Sequence, residues 1–237
     1  MNAPENQQHI GIVACSAEGA ALCYRSICHE GARLLGPYEH PELSMHSHSL
    51  AAYMRCIDLD DWHGVGELML SSAHKLASAG ADFLICPDNT VHQALALVRA
   101  RSPLPWLHIA DVAAAEALAR GYQRIGLTGT RWMLDSDVYP ERFAAHALAT
   151  VRPGLAARIE INRIIMDELV SGECKPAAVA YFQKTIMRMK DGGCDAVLLG
   201  CTEIPLLMND GNSPLPTLDT TRLLARAALR HATGQPA

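Results

Sequence analysis

Two segments of this chain match each other at constant spacing, and a chain that repeats a turn–strand–turn unit is constrained to build a similar sheet twice. The first is Gly80-Ala81-Asp82-Phe83-Leu84-Ile85-Cys86-Pro87-Asp88-Asn89-Thr90. The second is Gly193-Cys194-Asp195-Ala196-Val197-Leu198-Leu199-Gly200-Cys201-Thr202-Glu203. At an offset of 201 − 88 = 113, Gly80 falls on Gly193, Asp82 falls on Asp195, and the apolar runs coincide. Each segment leaves a helix, turns at glycine, crosses an apolar strand and ends in small polar residues. A second echo sets His9-Ile10-Gly11-Ile12 against Arg124-Ile125-Gly126-Leu127, at 124 − 9 = 115. The flanking elements repeat in the same order, which indicates an internal duplication. Open α/β sheets place their sites at the carboxyl ends of buried strands. Asp88 and Cys201 are therefore expected on opposed walls of one site.

Apolar runs alternate with helical stretches along the whole chain. That pattern predicts an α/β fold of two pseudosymmetric halves, each a parallel sheet flanked by helices, with the active site in the cleft between them. The first half takes residues 1–105 and is completed by the C-terminal helix, 219–237; the second takes 106–218. Strands are expected at 10–15, 43–48, 106–109, 124–128, 157–161 and 215–217, besides the two key strands. Helices are expected over 20–35, from the Asp60-Asp61 cap to 79, and over 91–101. Further helices are expected over 138–151, 162–170, 176–190, 203–208 and 220–231.

Composition excludes several classes of function. The chain has 237 residues and a net charge of −5, so it lacks the basic footprint of a nucleic-acid binder. No window reads as a membrane span or a signal peptide, and the polar stretch 1–8 reads as frayed. The eight cysteines are irregularly spaced, with no Cys-x-x-Cys pair. That usage suits a reducing, cytoplasmic setting with thiols available for chemistry. Cys23, Cys28 and Cys194 read as small core residues. No metal-ligand cluster is visible.

Cys201 lies between Gly200 and Thr202 with a helix expected to start at once, and a helix N-terminus stabilises a thiolate. A cysteine there is also an ordinary buried strand end. Asp88-Asn89-Thr90 reads equally as an Asx turn and helix cap. His92 and His108 read as packed histidines, and Glu203 as a residue favouring a helix N-terminus. Ser16, Thr130 and Thr202 are small hydroxyls on turns at strand ends, suited to holding a carboxylate together with nearby N–H groups.

Together these residues resemble the aspartate/glutamate racemase family. The resemblance rests on Ile10-Gly11-Ile12, His46-Ser47, Asn89-Thr90 with His92, and Leu107-His108-Ile109-Ala110-Asp111. It continues through Gly129-Thr130-Arg131, Ile161-Asn162-Arg163-Ile164-Ile165 and Gly200-Cys201-Thr202-Glu203-Ile204, from about Gln8 to His231. It implies cofactor-independent racemisation of an amino acid, by two groups on opposite faces of the α-carbon, in a homodimer. Cys201 matches the second catalytic cysteine. Asn89, Thr90, Thr130 and Thr202 match positions that hold the substrate. The family's first catalytic position, usually cysteine, is Asp88 here. Glu160 stands where some members carry a lysine for a second substrate carboxylate. Two unit charges about 4 Å apart cost about 4 kcal/mol at an effective dielectric of 20. Asp88 and Glu160 are thus expected to disfavour a dicarboxylate, leaving a neutral or basic amino acid, or a related acid, as substrate. Two rivals follow: a decarboxylase of a malonate-type acid using Cys201 alone, and a silent amino-acid-binding relative.

Overall fold

The computed structural model describes residues 7–235. Strand β1 (Ile10–Ala14) is buried along its whole length, as an apolar run with parallel neighbours on both sides should be. Helix α1 (Ala17–Leu35) follows, with Ser16 as its cap: Gly19 N–H donates to Ser16 Oγ at 3.2 Å. Next come β2 (Leu43–Ser47), α2 (Leu50–Ile57) and α3 (Trp62–Ser78). Of the Asp60-Asp61 pair, Asp61 does the capping, accepting from Gly64 N–H at 2.8 Å. Strand β3 (Phe83–Ile85) leads into 3-10 turns on either side of a short α4 (Leu95–Val98), not the continuous helix expected over 91–101. Helix α5 (Ile109–Ala119) begins early and reduces the expected strand 106–109 to one bridge between Leu84 and Trp106. Pro103 and Pro105 lack the N–H groups that would lengthen that pairing.

The chain continues through β4 (Arg124–Gly129), α6 (Arg131–Asp135), α7 (Val138–Ala144), β5 (Ala149–Val151) and α8 (Leu155–Asp167). It ends with α9 (Pro176–Asp191), β6 (Ala196–Gly200), β7 (Thr217–Asp219) and α10 (Thr220–Ala232). A second strand also differs from expectation. The helix expected over 138–151 stops at Ala144, the strand lies at Ala149–Val151, and 157–161 is helical. Ile161, Ile164 and Ile165 are buried at helical spacing, which the full turn of α8 satisfies. Strand β5 is a partly exposed sheet edge, so it carries no long apolar run.

The chain divides into two compact units. One runs to Ile109 and includes the stretch from Thr221 on; the other is Ala110–Thr220. The first holds a parallel sheet of order β2-β1-β3, the second a parallel sheet of order β5-β4-β6-β7. The repeat is visible in the register. Ile10 pairs with Phe83, and their counterparts Ile125 and Ala196 pair with each other. Gly80 and Gly193 sit at φ 93° and 85°, where a side chain costs about 1–2 kcal/mol. Past each glycine, Ala81 and Cys194 donate back to Leu76 O and Met189 O, both at 3.0 Å. Asp82 accepts from His9 N–H at 2.7 Å, and Asp195 accepts from Gln123 N–H at 2.7 Å and Arg124 N–H at 3.1 Å. In each unit this carboxylate fixes the start of the central strand.

Phe182, Ile186 and Ile165 pack with Val197 and Leu199 as the core beneath the second sheet. At the N-terminus, Gln8 N–H donates to Ala232 O at 2.9 Å, so that residue is tied down; residues 1–6 lie outside those described. No helix among the described residues is long and apolar enough to cross a membrane.

Candidate active site

In the second unit the central strands β4 and β6 end side by side at the paired glycines Gly129 and Gly200. A Cβ on Gly129 would lie 2.8 Å from Gly200 O, and one on Gly200 would lie 2.7 Å from Thr128 O. Backbone blocks a side chain at either position. The two strand ends therefore stay close, and Thr130 and Cys201 follow immediately. Thr130 Oγ1 caps α6 by accepting from Met133 N–H at 3.4 Å. Arg131 N–H donates to Asn162 Oδ1 at 2.9 Å, so α8 holds this turn in place. Asn162 belongs to the Ile161-Asn162-Arg163 element, but sequence reading assigned it no role.

Cys201 Sγ–H donates to Glu203 Oε2 at 2.9 Å, and Thr202 Oγ1–H donates to the same oxygen at 2.8 Å. All three residues are buried, Glu203 to 4% exposure. A carboxylate so removed from water needs such donors. The helix expected over 203–208 is a single 3-10 turn, Ile204–Leu206, too short for a macrodipole to support the thiolate. The thiol's polar partner is Glu203 instead. Sequence reading gave Glu203 only a helix-favouring role; its place two residues beyond Cys201 was the available signal.

The corresponding end in the first unit is built differently. Asp88 is half-buried, and its Oδ1 accepts from Thr90 N–H at 3.0 Å and Val91 N–H at 3.3 Å. This is an Asx turn starting the helical stretch. Asn89 and Thr90 are buried, and Gln93 Nε2 donates to Thr90 O at 3.2 Å. His92 Nε2 donates to Cys86 O at 3.0 Å, and its ring meets His108 edge-on at 4.6 Å between centroids. These contacts lock the turn onto the end of β3. Burial, with Asp88's charge second, pushes the Cys86 thiol well above its ordinary range. Tyr53, fully buried, also has its hydroxyl pKa raised, mainly by burial and then by charge on Cys86, Cys15 and Asp88. Ser16, at the end of the neighbouring β1, caps α1. Ser16, Asp88, Asn89 and Thr90 thus belong to one unit, and Thr130, Cys201 and Thr202 to the other.

One expectation about charge changes. The Glu160 carboxylate is gripped by Arg163, whose Nε donates to both oxygens at 3.1 and 3.0 Å and whose Nη2 donates at 2.7 Å. That contact holds its pKa below the usual range. The same guanidinium also donates to Glu168 Oε1 at 3.0 Å, so its charge is shared between two carboxylates. Among the described residues no group of three or more His, Cys, Asp or Glu side chains is placed to hold a metal.

Two parallel sheets with polar strand ends, one carrying a thiol hydrogen-bonded to a buried carboxylate, define an α/β protein. The chain belongs to the Asp/Glu/Hydantoin racemase family, whose model matches residues 11–228. A crystal structure of a Yersinia pestis protein, provisionally an Asp/Glu racemase, is 29% identical with a TM-score of 0.88, over 95% of this chain and 99% of that one. An aspartate racemase homologue from Pyrococcus horikoshii is 26% identical with a TM-score of 0.83, over 95% and 99%. The glutamate racemase of Hydrogenobaculum is 25% identical over 150 residues, 62% of this chain and 56% of that protein. The chain therefore spans little more than half the length of the curated relatives it matches.

Proposed function

We propose that this protein is an amino-acid racemase or epimerase that removes and returns the α-proton without PLP or a metal. The observation that carries this reading is the buried Cys201–Thr202–Glu203 cluster at a strand end, in a chain of the Asp/Glu/Hydantoin racemase family. The sulfur must be a thiolate to act as base, and Glu203 Oε2, 2.9 Å away, is the ready acceptor of its proton. The thiolate then takes the α-proton, leaving a carbanion delocalised into the substrate carboxylate. An acid on the far face delivers a proton and completes inversion. Asp88 is the group assigned to that face. Ser16, Asn89, Thr90, Thr130 and Thr202 are assigned to the substrate's carboxylate and amino groups. The working form is proposed as a cytoplasmic homodimer acting on an amino acid or related carboxylic acid.

Asp88 gives the decarboxylase rival its one support. Its carboxylate already serves as a cap, and a malonate-type decarboxylation needs only one proton donor, Cys201. The test is a screen of L- and D-amino acids and substituted malonates in deuterium oxide, followed by NMR. Loss of the α-proton signal with inversion supports the racemase. Carbon dioxide release without exchange in unreacted substrate selects the decarboxylase. Saturable binding with neither outcome leaves a silent binding relative.

A further inference from the structure

The second unit carries a cavity of about 430 Å³ at the start of β4 and the start of α8. Its lining includes Arg124, the first residue of β4, whereas Thr130 follows the last. A strand of this length spans roughly 20 Å, so the cavity lies well away from Cys201.

Three guanidinium groups, Arg124, Arg152 and Arg188, line this cavity, and no carboxylate does. Arg188 is exposed, and among the described residues it forms no ion pair. Arg124 likewise forms none; its side chain lies against Cys194. Arg152 is partly satisfied, donating to Ser136 O at 2.6 Å and Asp137 Oδ1 at 3.1 Å. The cavity also takes in the N-terminus of α8, a helix of 13 residues whose cap is Gly154, with no side chain to offer. Ala157 and Arg158 N–H groups donate to Gly154 O, which leaves those of Leu155 and Ala156 pointing out of the first turn. An independent feature is Thr185, on α9. It is only 4% exposed and lines the cavity, and its hydroxyl makes no hydrogen bond among the described residues. Ser72 and Ser78, on α3, illustrate the usual alternative, each bonding a carbonyl one turn back in its own helix.

We propose that this cavity binds a phosphate monoester of a small organic molecule. Backbone N–H groups, a hydroxyl and guanidinium groups are the donors that oxyanions take. Their arrival from a helix end, a second helix and a strand suits a tetrahedral group better than a flat carboxylate. The excess of positive charge matches a dianion. The cavity is larger than phosphate alone needs, and Val151, Pro153 and Met189 supply an apolar wall for the organic part.

The test is an amide NMR titration of the full chain with phenyl phosphate, inorganic phosphate and benzoate. Phenyl phosphate is expected to shift the Leu155 and Ala156 amides saturably and to bind about tenfold more tightly than benzoate. Arg188→Gln, at an exposed site, and the near-isosteric Thr185→Val are each expected to weaken it about fivefold or more without moving the melting temperature. No saturable shift at millimolar ligand overturns the proposal. So does equal affinity for benzoate, or unchanged affinity in both variants.

Discussion

The two key strand ends share a scaffold and differ in chemistry. Before the strand they are alike: a left-handed glycine, a return hydrogen bond at 3.0 Å, an aspartate fixing the central strand, and matching register. After the strand they part. In one unit Asp88 turns its carboxylate onto its own backbone and starts a helical stretch. In the other, Cys201 directs its thiol at a buried carboxylate from the same loop. The lesson is that a duplicated frame preserves the backbone geometry of a site while leaving each end free to change its reactive group. A carboxylate that serves as a cap is held by neutral N–H donors; a thiol proposed as a base needs somewhere to put its proton.

The sharpest break in this comparison comes from Cys201→Ser. The hydroxyl is nearly isosteric but a far weaker base, so deuterium exchange at the α-carbon should fall about 100-fold or more with little change in melting temperature. Full activity in this variant would remove Cys201 from the mechanism. Glu203→Gln should cost somewhat less, about tenfold at neutral pH. With no carboxylate beside it, the thiol must ionise into solvent, so activity should climb as pH approaches an ordinary thiol pKa of about 8.5. A pH–rate profile identical to wild type would leave Glu203 a purely structural residue.

At the other end, Asp88 should make exchange lopsided, with one enantiomer losing its α-proton faster because only the Cys201 face carries an effective base. Asp88→Cys should even out the two directions and improve acidic substrates relative to neutral ones. Asp88→Asn keeps the oxygen that Thr90 and Val91 use, so it should melt near wild type. Comparing initial deuterium uptake of both enantiomers across the three proteins separates a proton carrier from a cap. Equal uptake in all three would assign Asp88 to capping alone.

The shared frame makes a prediction of its own. Gly80→Ala and Gly193→Ala should each destabilise by about 1–2 kcal/mol, because the strain is in the backbone. The nearest atom to an added Cβ is 3.6 Å away at Gly80 and 4.0 Å at Gly193, so neither site adds a clash. Denaturant melts giving very different losses would show that the two turns are not equivalent.

The smallest expected effect lies on the first unit alone. Lys75 Nζ donates to His46 Nε2 at 3.0 Å, which leaves Nδ1–H to donate to Ser72 Oγ at 3.0 Å. Burial, then Lys75 and His48, lower the His46 pKa. The unfolded chain therefore binds a proton more readily, so this contribution to stability is present above about pH 6.5 and is lost as pH falls below it. Lys75→Met should raise the His46 pKa in an NMR titration; an unmoved midpoint would rule out Lys75 as a cause.

The amino-acid sequence by itself determined the α/β class, the two sheets and the family. Apolar runs of fixed length, bounded by glycine and polar turns, dictate buried parallel strands wherever they occur. It also marked Gly80 and Gly193 as turns, since a left-handed residue with no side chain leaves a local signature. It misplaced β5, because a short, half-exposed edge strand carries little apolar periodicity, while Ile161, Ile164 and Ile165 suit a strand or a helix until something packs on them. Tertiary structure alone decided the surroundings of the reactive groups. The hydrogen bond from Cys201 to Glu203, the grip of Arg163 on Glu160 and the hold of Asn162 on the Thr130 turn depend on side-chain direction and burial. Spacing along a chain does not encode those; the packed fold sets them.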